Sequence, residues 1–430
     1  MSNLTAARFQ MAYSLGFHMI FAVLGIGMPA LMVIAEIMYR RTKNEEYRRL
    51  AKTWAKATGI LFAIGAVSGT ALSFELGLLW PKFMGFAGST LGSAFSMEGY
   101  AFFTEAIFLG LYLYGRERLT PALHLFSGIM VALSGMASGV LVLATDAWMQ
   151  NPHMVDVLLT NPEQMDVFAA LFKNQAWPVM TVHSTFSAYA CTGFGAAAVY
   201  AWSALKGKMD AMRRKALIIA LGMGTVAAVA MPVTGHISAQ EIADRQPMKL
   251  AAMEALYRTE KGAPLLVGGV PHSDTQTVTH AIEIPGGLSF LAFNDPKAEV
   301  KGLDQIPKEN WPNIPVVHYS FQIMVAAGGM MMAVVLVYWW AVARRRERHA
   351  DDRRLLWLLV IAGPLGFIAM EAGWIVTEVG RQPWIIYGVM KTAEAVTPVP
   401  GLATMLAWFV ALYAALGVVL VWLLNRLKHA

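Results

Sequence analysis

Six side chains that can bind a metal or carry a proton lie inside long apolar segments of this sequence. They are His18, Glu98, Glu105, His183, Met324 and Glu371. Ionisable groups in apolar membrane segments are costly and usually face a functional interior. Each residue alone is weak evidence, because a single buried histidine is more often packed than a ligand and most of the 27 methionines fill the core. A site therefore has to be argued from their common arrangement.

The segments that carry these residues are predicted to be membrane-spanning helices. Of the 430 residues, 57% are hydrophobic and 14% are charged, whereas a soluble domain has about 25% charged residues. This composition predicts an all-α polytopic membrane protein. Nine apolar stretches are long enough to span: Met11–Tyr39, Ala57–Leu79, Phe95–Gly115, Leu123–Trp148, Val179–Leu205, Ala216–His236, Val317–Val342, Leu355–Val379 and Leu402–Leu424.

Basic residues predict the orientation of these helices and the division of the chain. Of 34 lysines and arginines, 22 fall on the side of the C-terminal tail and 12 on the other. The positive-inside rule places the first side in the cytoplasm, so the N-terminus lies outside and the number of helices is odd. We expect helices 1–6 within residues 1–236, an outer loop over 237–313 and helices 7–9 within 314–430. The net charge of +6 follows from this sorting and does not indicate nucleic-acid binding.

With this orientation, the six side chains share one layer of the membrane. At 1.5 Å per residue, all lie within roughly 15 Å of the outer surface. Helical bundles hold hemes with such side chains on facing helices. Glu98 and Glu105 are seven residues apart on one helix face, which suits a proton relay or a ligand pair. Residues near helix ends are expected to reach the interface instead: Glu36, His124, His236 and Glu378. For Glu75, a structural and a functional role are equally compatible with the sequence.

The outer loop and the cysteine content add two expectations. Met248–Glu260 follows Pro247 and is predicted to form an amphipathic helix at the membrane surface or against a partner. Cys191 is the single cysteine, which excludes an internal disulfide and four-cysteine metal sites within this chain.

Several segments, in order along the whole chain, resemble subunit I of the cytochrome bd family of quinol oxidases. They read ARFQMAYSLGFH (7–18), MEGYAFFTEAIFLGLYLYG (97–115), DAWMQNP (146–152), VHSTFSAYACTGF (182–194), KLAAMEA (249–255), FQIMVAAGG (321–329) and EAGWIVTEVGRQPW (371–384). The outer loop is similar to the family's short quinol-binding loop. The resemblance implies three hemes, namely two b-type hemes plus heme d or a third heme b.

The resemblance also implies roles for individual residues. His183 and Met324 match the two axial ligands of the low-spin heme b. His18 and Glu371 match ligands of the two high-spin hemes, without indicating which residue binds which heme. Glu98 matches a carboxylate beside that pair, as a ligand or a proton donor. The remaining matches are a proton route from the cytoplasm (Glu105, Ser138, Asp146), the quinol-oxidising loop (Lys249, Glu254) and the arginine of the GRQPW signature (Arg381).

Two positions depart from the common family pattern. Gln322 stands where the family often has arginine, and Phe367 stands where it often has tryptophan. These departures resemble the cyanide-insensitive branch, in which heme d can be replaced by a third heme b.

The implied function is oxidation of membrane quinol at the outer face with reduction of O2 to water. It would separate charge by taking up protons from inside, without pumping. The resemblance implies a bacterial inner-membrane location, a second membrane subunit and small accessory single-helix subunits. The alternatives are a quinol-linked diheme cytochrome that does not reduce O2 and a heme-free transporter. A diheme cytochrome does not account for His18 and Glu371, because neither has a second protein ligand. A transporter does not account for the pair His183 and Met324.

Overall fold

A computed structural model of the chain describes residues 1–345 and 352–427, and the predicted spans are almost entirely helical in it. The part of the predicted basic loop at 346–351 and the end of the C-terminal tail lie outside the described residues. The long helices are α1 (Asn3–Thr42), α2 (Glu45–Leu79), α3 (Pro81–Tyr114), α4 (Pro121–Gln150), α7 (Ala176–Leu205), α8 (Ala211–Arg245), α11 (Ile314–Arg345), α12 (Arg353–Ala362), α13 (Leu365–Val379) and α15 (Leu402–Leu427). Short helices α5 (Val155–Thr160) and α6 (Val167–Phe172) follow α4.

Seven helical segments of the described chain are long and apolar enough to cross a membrane, with α12 and α13 counted together. Helices α3 and α7 are not among them, although they contain 34 and 30 residues, because glycine, serine, threonine and tyrosine dilute their apolar content. The polytopic helical architecture is therefore confirmed. The number of nine spans and the orientation of the termini stay predictions.

Several predicted boundaries differ from the structure, and α2, for example, begins at Glu45 rather than Ala57. Helix α3 begins at Pro81 rather than Phe95, because a proline suits the first turn of a helix and Phe83, Ala87 and Leu91 bury one face of the added turns. Helix α8 continues past His236 to Arg245, so the outer loop begins later than predicted. The eighth predicted helix is interrupted between α12 and α13 at Gly363 and Pro364, where proline lacks the N–H of a helical hydrogen bond.

Helix α1 lies at the centre of the bundle and packs against α2, α4, α7, α8, α13 and α15. Small residues allow this close approach. A methyl group at Gly27 would lie 2.1 Å from Thr192 Oγ1 on α7, so only glycine fits there. Because α1 touches so many helices, side chains on its different faces can meet several partners at once.

The segment between α8 and α11 folds over one end of the bundle, which we call the loop end. It contains α9 (Pro247–Met253), β1 (Glu260–Lys261), β2 (Leu265–His272), β3 (Thr277–Ile284), α10 (Gly287–Phe293) and β4 (Glu299–Val300). Strand β2 pairs antiparallel with β3, and β1 pairs with β4. After α13, β5 (Trp384–Ile386) pairs with β6 (Met390–Lys391), and the short helix α14 spans Thr392–Ala395.

The prediction of a surface helix over Met248–Glu260 is wrong. Helix α9 ends at Met253, and all its residues from Met248 to Met253 are buried. Residues Leu250–Met253 pack into a core with the rest of the loop and with Val376 of α13. Apolar side chains on nearly every side of so short a helix favour burial over a flat position on the membrane.

Candidate functional site

The two histidines predicted as ligands have the same local geometry. His18 Nδ1 lies 3.0 Å from Ser68 Oγ on α2, and His183 Nδ1 lies 3.0 Å from Thr234 Oγ1 on α8. Neither Nε2 forms a hydrogen bond with a described residue. A ring held at one nitrogen by a hydroxyl and open at the other is typical of a metal-binding histidine, because the first contact sets the ring's orientation.

Glycines stand opposite three of the predicted ligands. A methyl group at Gly69 would lie 2.9 Å from His18 Cε1, one at Gly373 would lie 3.1 Å from Met324 Sδ, and one at Gly16 would lie 3.3 Å from Glu371 Oε2. The ligands therefore occupy tight contacts between helices that exclude larger side chains. Helix α13 carries both Glu371, which lies against α1, and Gly373, which lies against Met324 of α11. One turn of α13 therefore sets the contacts of two predicted ligands.

The donor set fits heme iron. Imidazole, thioether and carboxylate side chains can all serve as axial ligands. Glu371 Oε1 is buried and has no hydrogen-bond partner among the described residues, which leaves it free to bind a cation. In the described part of the chain, no three histidine, cysteine, aspartate or glutamate side chains cluster around one point. The predicted ligands His18, His183, Met324 and Glu371 lie on four different helices.

The carboxylates of α3 face α4. Ser138 Oγ donates to Glu98 Oε1 at 3.4 Å. Two turns further along, Glu105 is buried, and a methyl group at Gly135 would lie 3.2 Å from its Oε1. The prediction that Glu98 and Glu105 share one helix face agrees with these contacts, since both meet the same neighbouring helix.

Asp146 lies in a different network, near the loop end. Its Oδ1 is 3.5 Å from Arg381 Nη1 and accepts from Gln150 Nε2 at 3.3 Å. Arg381 also forms an ion pair with Glu378, and Lys249 donates to Gln150 Oε1. No described contact joins Asp146 to Ser138. The sequence grouped Asp146 with the proton route, whereas the structure brings it together with Lys249 and Arg381.

Lys249 and Glu254 are both buried in the loop but form no ion pair with each other in the described structure. Burial lowers the pKa of Lys249 to about 8, and Arg381 acts in the same direction. Burial raises the pKa of Glu254 to about 8, and the backbone of Leu266 offsets part of this shift. Neither carboxyl oxygen of Glu254 makes a full hydrogen bond within the described structure. An isolated buried carboxyl of this kind can exchange a proton near neutral pH.

The structure corrects the sequence prediction for one polar cluster and gives the partners of Glu75 in another. The predicted interfacial positions of Glu36 and His124 are wrong, since both are buried. Glu36 pairs with Arg116 at 2.8 Å, accepts from Tyr112 at 3.1 Å and lies 3.5 Å from His124 Nδ1. The alternation of charged and apolar residues does not indicate this cluster, because the partners of Glu36 come from α3, the turn that follows it and α4.

Glu75 belongs to the second cluster, which joins the loop-end halves of α1 and α2. It accepts hydrogen bonds from Ser14 at 2.8 Å and from Gln10 at 3.2 Å. These hydrogen bonds between α1 and α2 are compatible with a structural role for Glu75.

A helical membrane bundle with imidazole, thioether and carboxylate side chains at its helix contacts is typical of a membrane cytochrome. The chain belongs to the cytochrome bd terminal oxidase subunit I family, which matches residues 6–430.

Relatives and a solved structure cover nearly the full chain. The structure of bd oxidase from Geobacillus thermodenitrificans is 37% identical, with a TM-score of 0.92, over 99% of this chain and 98% of the other. A Bacillus subtilis protein with the provisional name of cytochrome bd menaquinol oxidase subunit I is 36% identical over 99% of this chain and 96% of its own. Cytochrome bd ubiquinol oxidase subunit 1 of Bacillus subtilis is 32% identical over 99% and 93%.

Proposed function

We propose that this chain is the heme-carrying, quinol-oxidising subunit of a terminal oxidase that reduces O2 to water. The family match and the full-length relatives support this function. The observation that carries it is the pair of imidazoles, His18 and His183, each held at Nδ1 by a hydroxyl and open at Nε2. A transporter has no need of two histidines prepared in this way.

His183 and Met324 would hold a low-spin heme b, and His18 and Glu371 would hold two high-spin hemes. The third macrocycle is heme d or a further heme b. When bound, the hemes carry electrons and activate O2. The chain orients them: Ser68 and Thr234 fix the imidazole rings, and the opposing glycines leave space beside the ligands. Arg381 and Glu378 provide a buried ion pair near the loop end.

Quinol would bind at the loop end, beside Lys249 and Glu254. Each quinol that is oxidised releases two electrons and two protons. Glu254 is suited to accept one of the protons, because it is buried and lacks a full hydrogen bond. Lys249 joins the loop to Gln150, which donates to Asp146, and Asp146 lies beside Arg381. Arg381 pairs with Glu378 of α13, so this chain of contacts connects the quinol side to the helix that carries Glu371. We therefore assign Asp146 to the quinol side.

Protons for water would enter from the end opposite the loop and pass Glu105 before reaching Glu98 and Ser138. The order follows from their positions along α3 and α4, with Glu105 further from the loop end than Glu98. Bare charges are expensive in this layer, so carboxyl groups and water have to carry the protons. Taking electrons from the outer side and protons from the inner side separates charge without a pump.

The assembly would be a multi-pass complex of the bacterial cytoplasmic membrane. Nine spans, an outer N-terminus and an outer loop agree with the distribution of basic residues. The chain would pair with a second membrane subunit and small accessory single-helix subunits. Either ubiquinol or menaquinol is compatible with the relatives' names.

The visible spectrum of the purified complex, with a pyridine hemochrome assay and extraction of chlorin, tests the function. We expect one low-spin and two high-spin hemes, and chlorin extraction distinguishes heme d from a third heme b. A colourless protein would indicate a transporter, and low-spin bands alone would indicate a diheme cytochrome.

A further inference from the structure

Gln322 joins the helix that carries Met324 to the outer loop. Its Nε2 donates to the Leu266 carbonyl at 2.8 Å, and its Oε1 accepts from the Gly268 N–H at 3.0 Å. Both partners are backbone groups of β2. A side-chain amide paired in both directions with one strand fixes that strand's position, and no apolar residue of similar size can replace either bond.

His318 precedes Gln322 by one helical turn on α11 and faces the same part of the loop. Its Nδ1 lies 2.8 Å from the Met253 carbonyl, and its Nε2 lies 3.3 Å from the Gly268 carbonyl. A neutral imidazole carries one N–H and can donate to only one of these carbonyls. The shorter contact of His318 is to the end of α9, while Gln322 supplies two side-chain hydrogen bonds from α11 to β2.

Leu266 connects Gln322 to Glu254. Its carbonyl accepts from Gln322, and its backbone acts to lower the pKa of the Glu254 carboxyl. Both carboxyl oxygens otherwise lack partners in the described structure. A displacement of Leu266 thus changes the nearest backbone dipole acting on Glu254, even though Gln322 itself does not touch that carboxyl.

We propose that Gln322 is a positioning residue that fixes β2, and through Leu266 the carboxyl of Glu254, for quinol oxidation. The proposal rests on the proposed quinol site at Lys249 and Glu254. It assigns Gln322 no contact with quinol or with a heme. Loss of the two hydrogen bonds between Gln322 and β2 should raise the quinol KM and shift the pH profile of quinol oxidation, while the heme spectrum stays unchanged.

Two substitutions of Gln322 distinguish the contributions of its two hydrogen bonds. Gln322→Met keeps the length and removes both hydrogen bonds. Gln322→Glu keeps an acceptor for the Gly268 N–H but loses the donor to Leu266. We expect Gln322→Glu to raise the quinol KM up to about tenfold, the most that loss of one such hydrogen bond typically causes, and Gln322→Met, which loses both bonds, to raise it at least as much. For both variants kcat should stay within about a factor of two. Gln305→Met is the matched control, because this loop glutamine bonds only exposed groups of Thr259 and Asp304.

The assay is steady-state quinol oxidation by the purified complex, with a heme spectrum of every variant. Native KM in Gln322→Glu would overturn the role of Leu266. The double variant Gln322→Met/Glu254→Gln should be no worse than Glu254→Gln alone, and multiplied effects would overturn action through Glu254. Native kinetics in Glu254→Gln would instead refute the quinol site itself. If Glu254→Gln impairs quinol oxidation and Gln322→Met shows native kinetics, only the positioning role of Gln322 is refuted.

Discussion

Substitution of Gly69 by alanine tests whether His18 stands where an iron ligand is required. The added methyl group would lie 2.9 Å from His18 Cε1, whereas carbon atoms pack at about 3.5–4.0 Å. The ring therefore has to retreat by at least about 0.6 Å. Its Nδ1 contact with Ser68, at 3.0 Å, lies on the residue next to Gly69. A retreat of this size takes that contact beyond the usual hydrogen-bond range.

The cost can be compared with that of a neighbouring glycine. Overpacking of a tight contact costs about 1–3 kcal/mol, or roughly 5- to 150-fold in an equilibrium constant. Gly77→Ala on the same helix meets nothing within 4 Å, so it gains the helix-forming advantage of alanine without the clash. We expect Gly69→Ala to lose a high-spin heme and Gly77→Ala to retain it.

The assay is heme content per protein by pyridine hemochrome, together with the dithionite-reduced spectrum of the purified complex. Equal heme content and identical high-spin bands in the two variants would refute the placement of His18 as a ligand. Loss of heme in both would show that α2 tolerates no added methyl group, and the reasoning from the Gly69 contact would fail.

Three further predictions concern separate steps. Met324→Leu should convert the low-spin heme to high spin and lower its potential, and an unchanged low-spin band in redox titration would remove Met324 from the ligand set. Glu105→Gln should slow steady-state O2 consumption at least about tenfold, near 1.4 kcal/mol on the limiting barrier, with quinol affinity retained; normal turnover would place the proton route elsewhere. Because burial raises the pKa of Glu254 to about 8, its carboxyl accepts protons only as the pH approaches and passes that value. The rate of quinol oxidation should therefore rise with pH through this range. Glu254→Gln should give a low rate that does not rise with pH there.

The helices could be predicted because their signal is local. Length and apolar content locate all of the long helices, and the motifs around His18, His183 and Met324 identify the family. Prolines in the sequence also mark the interruption at Pro364 and the early start at Pro81. These boundaries were missed because apolar content alone defined the predicted spans.

Contacts between distant helices could not be predicted in this way. Nothing near His18 in the sequence indicates that Ser68 holds its ring, since the pairing depends on how α1 packs against α2. The same applies to Asp146, whose position on α4 suggested a link to Ser138. Its partner Arg381 lies 235 residues further along the chain. Buried charges of this kind depend on tertiary packing, which periodicity alone does not report.

The ratio of quinol oxidised to O2 consumed by the purified complex tests the central claim most directly. Reduction of O2 to water takes four electrons, and each quinol supplies two. The account therefore predicts two quinols for each O2, with no hydrogen peroxide released. Rapid reduction of the hemes by quinol without O2 consumption would contradict it and would favour a quinol-linked cytochrome that does not reduce O2.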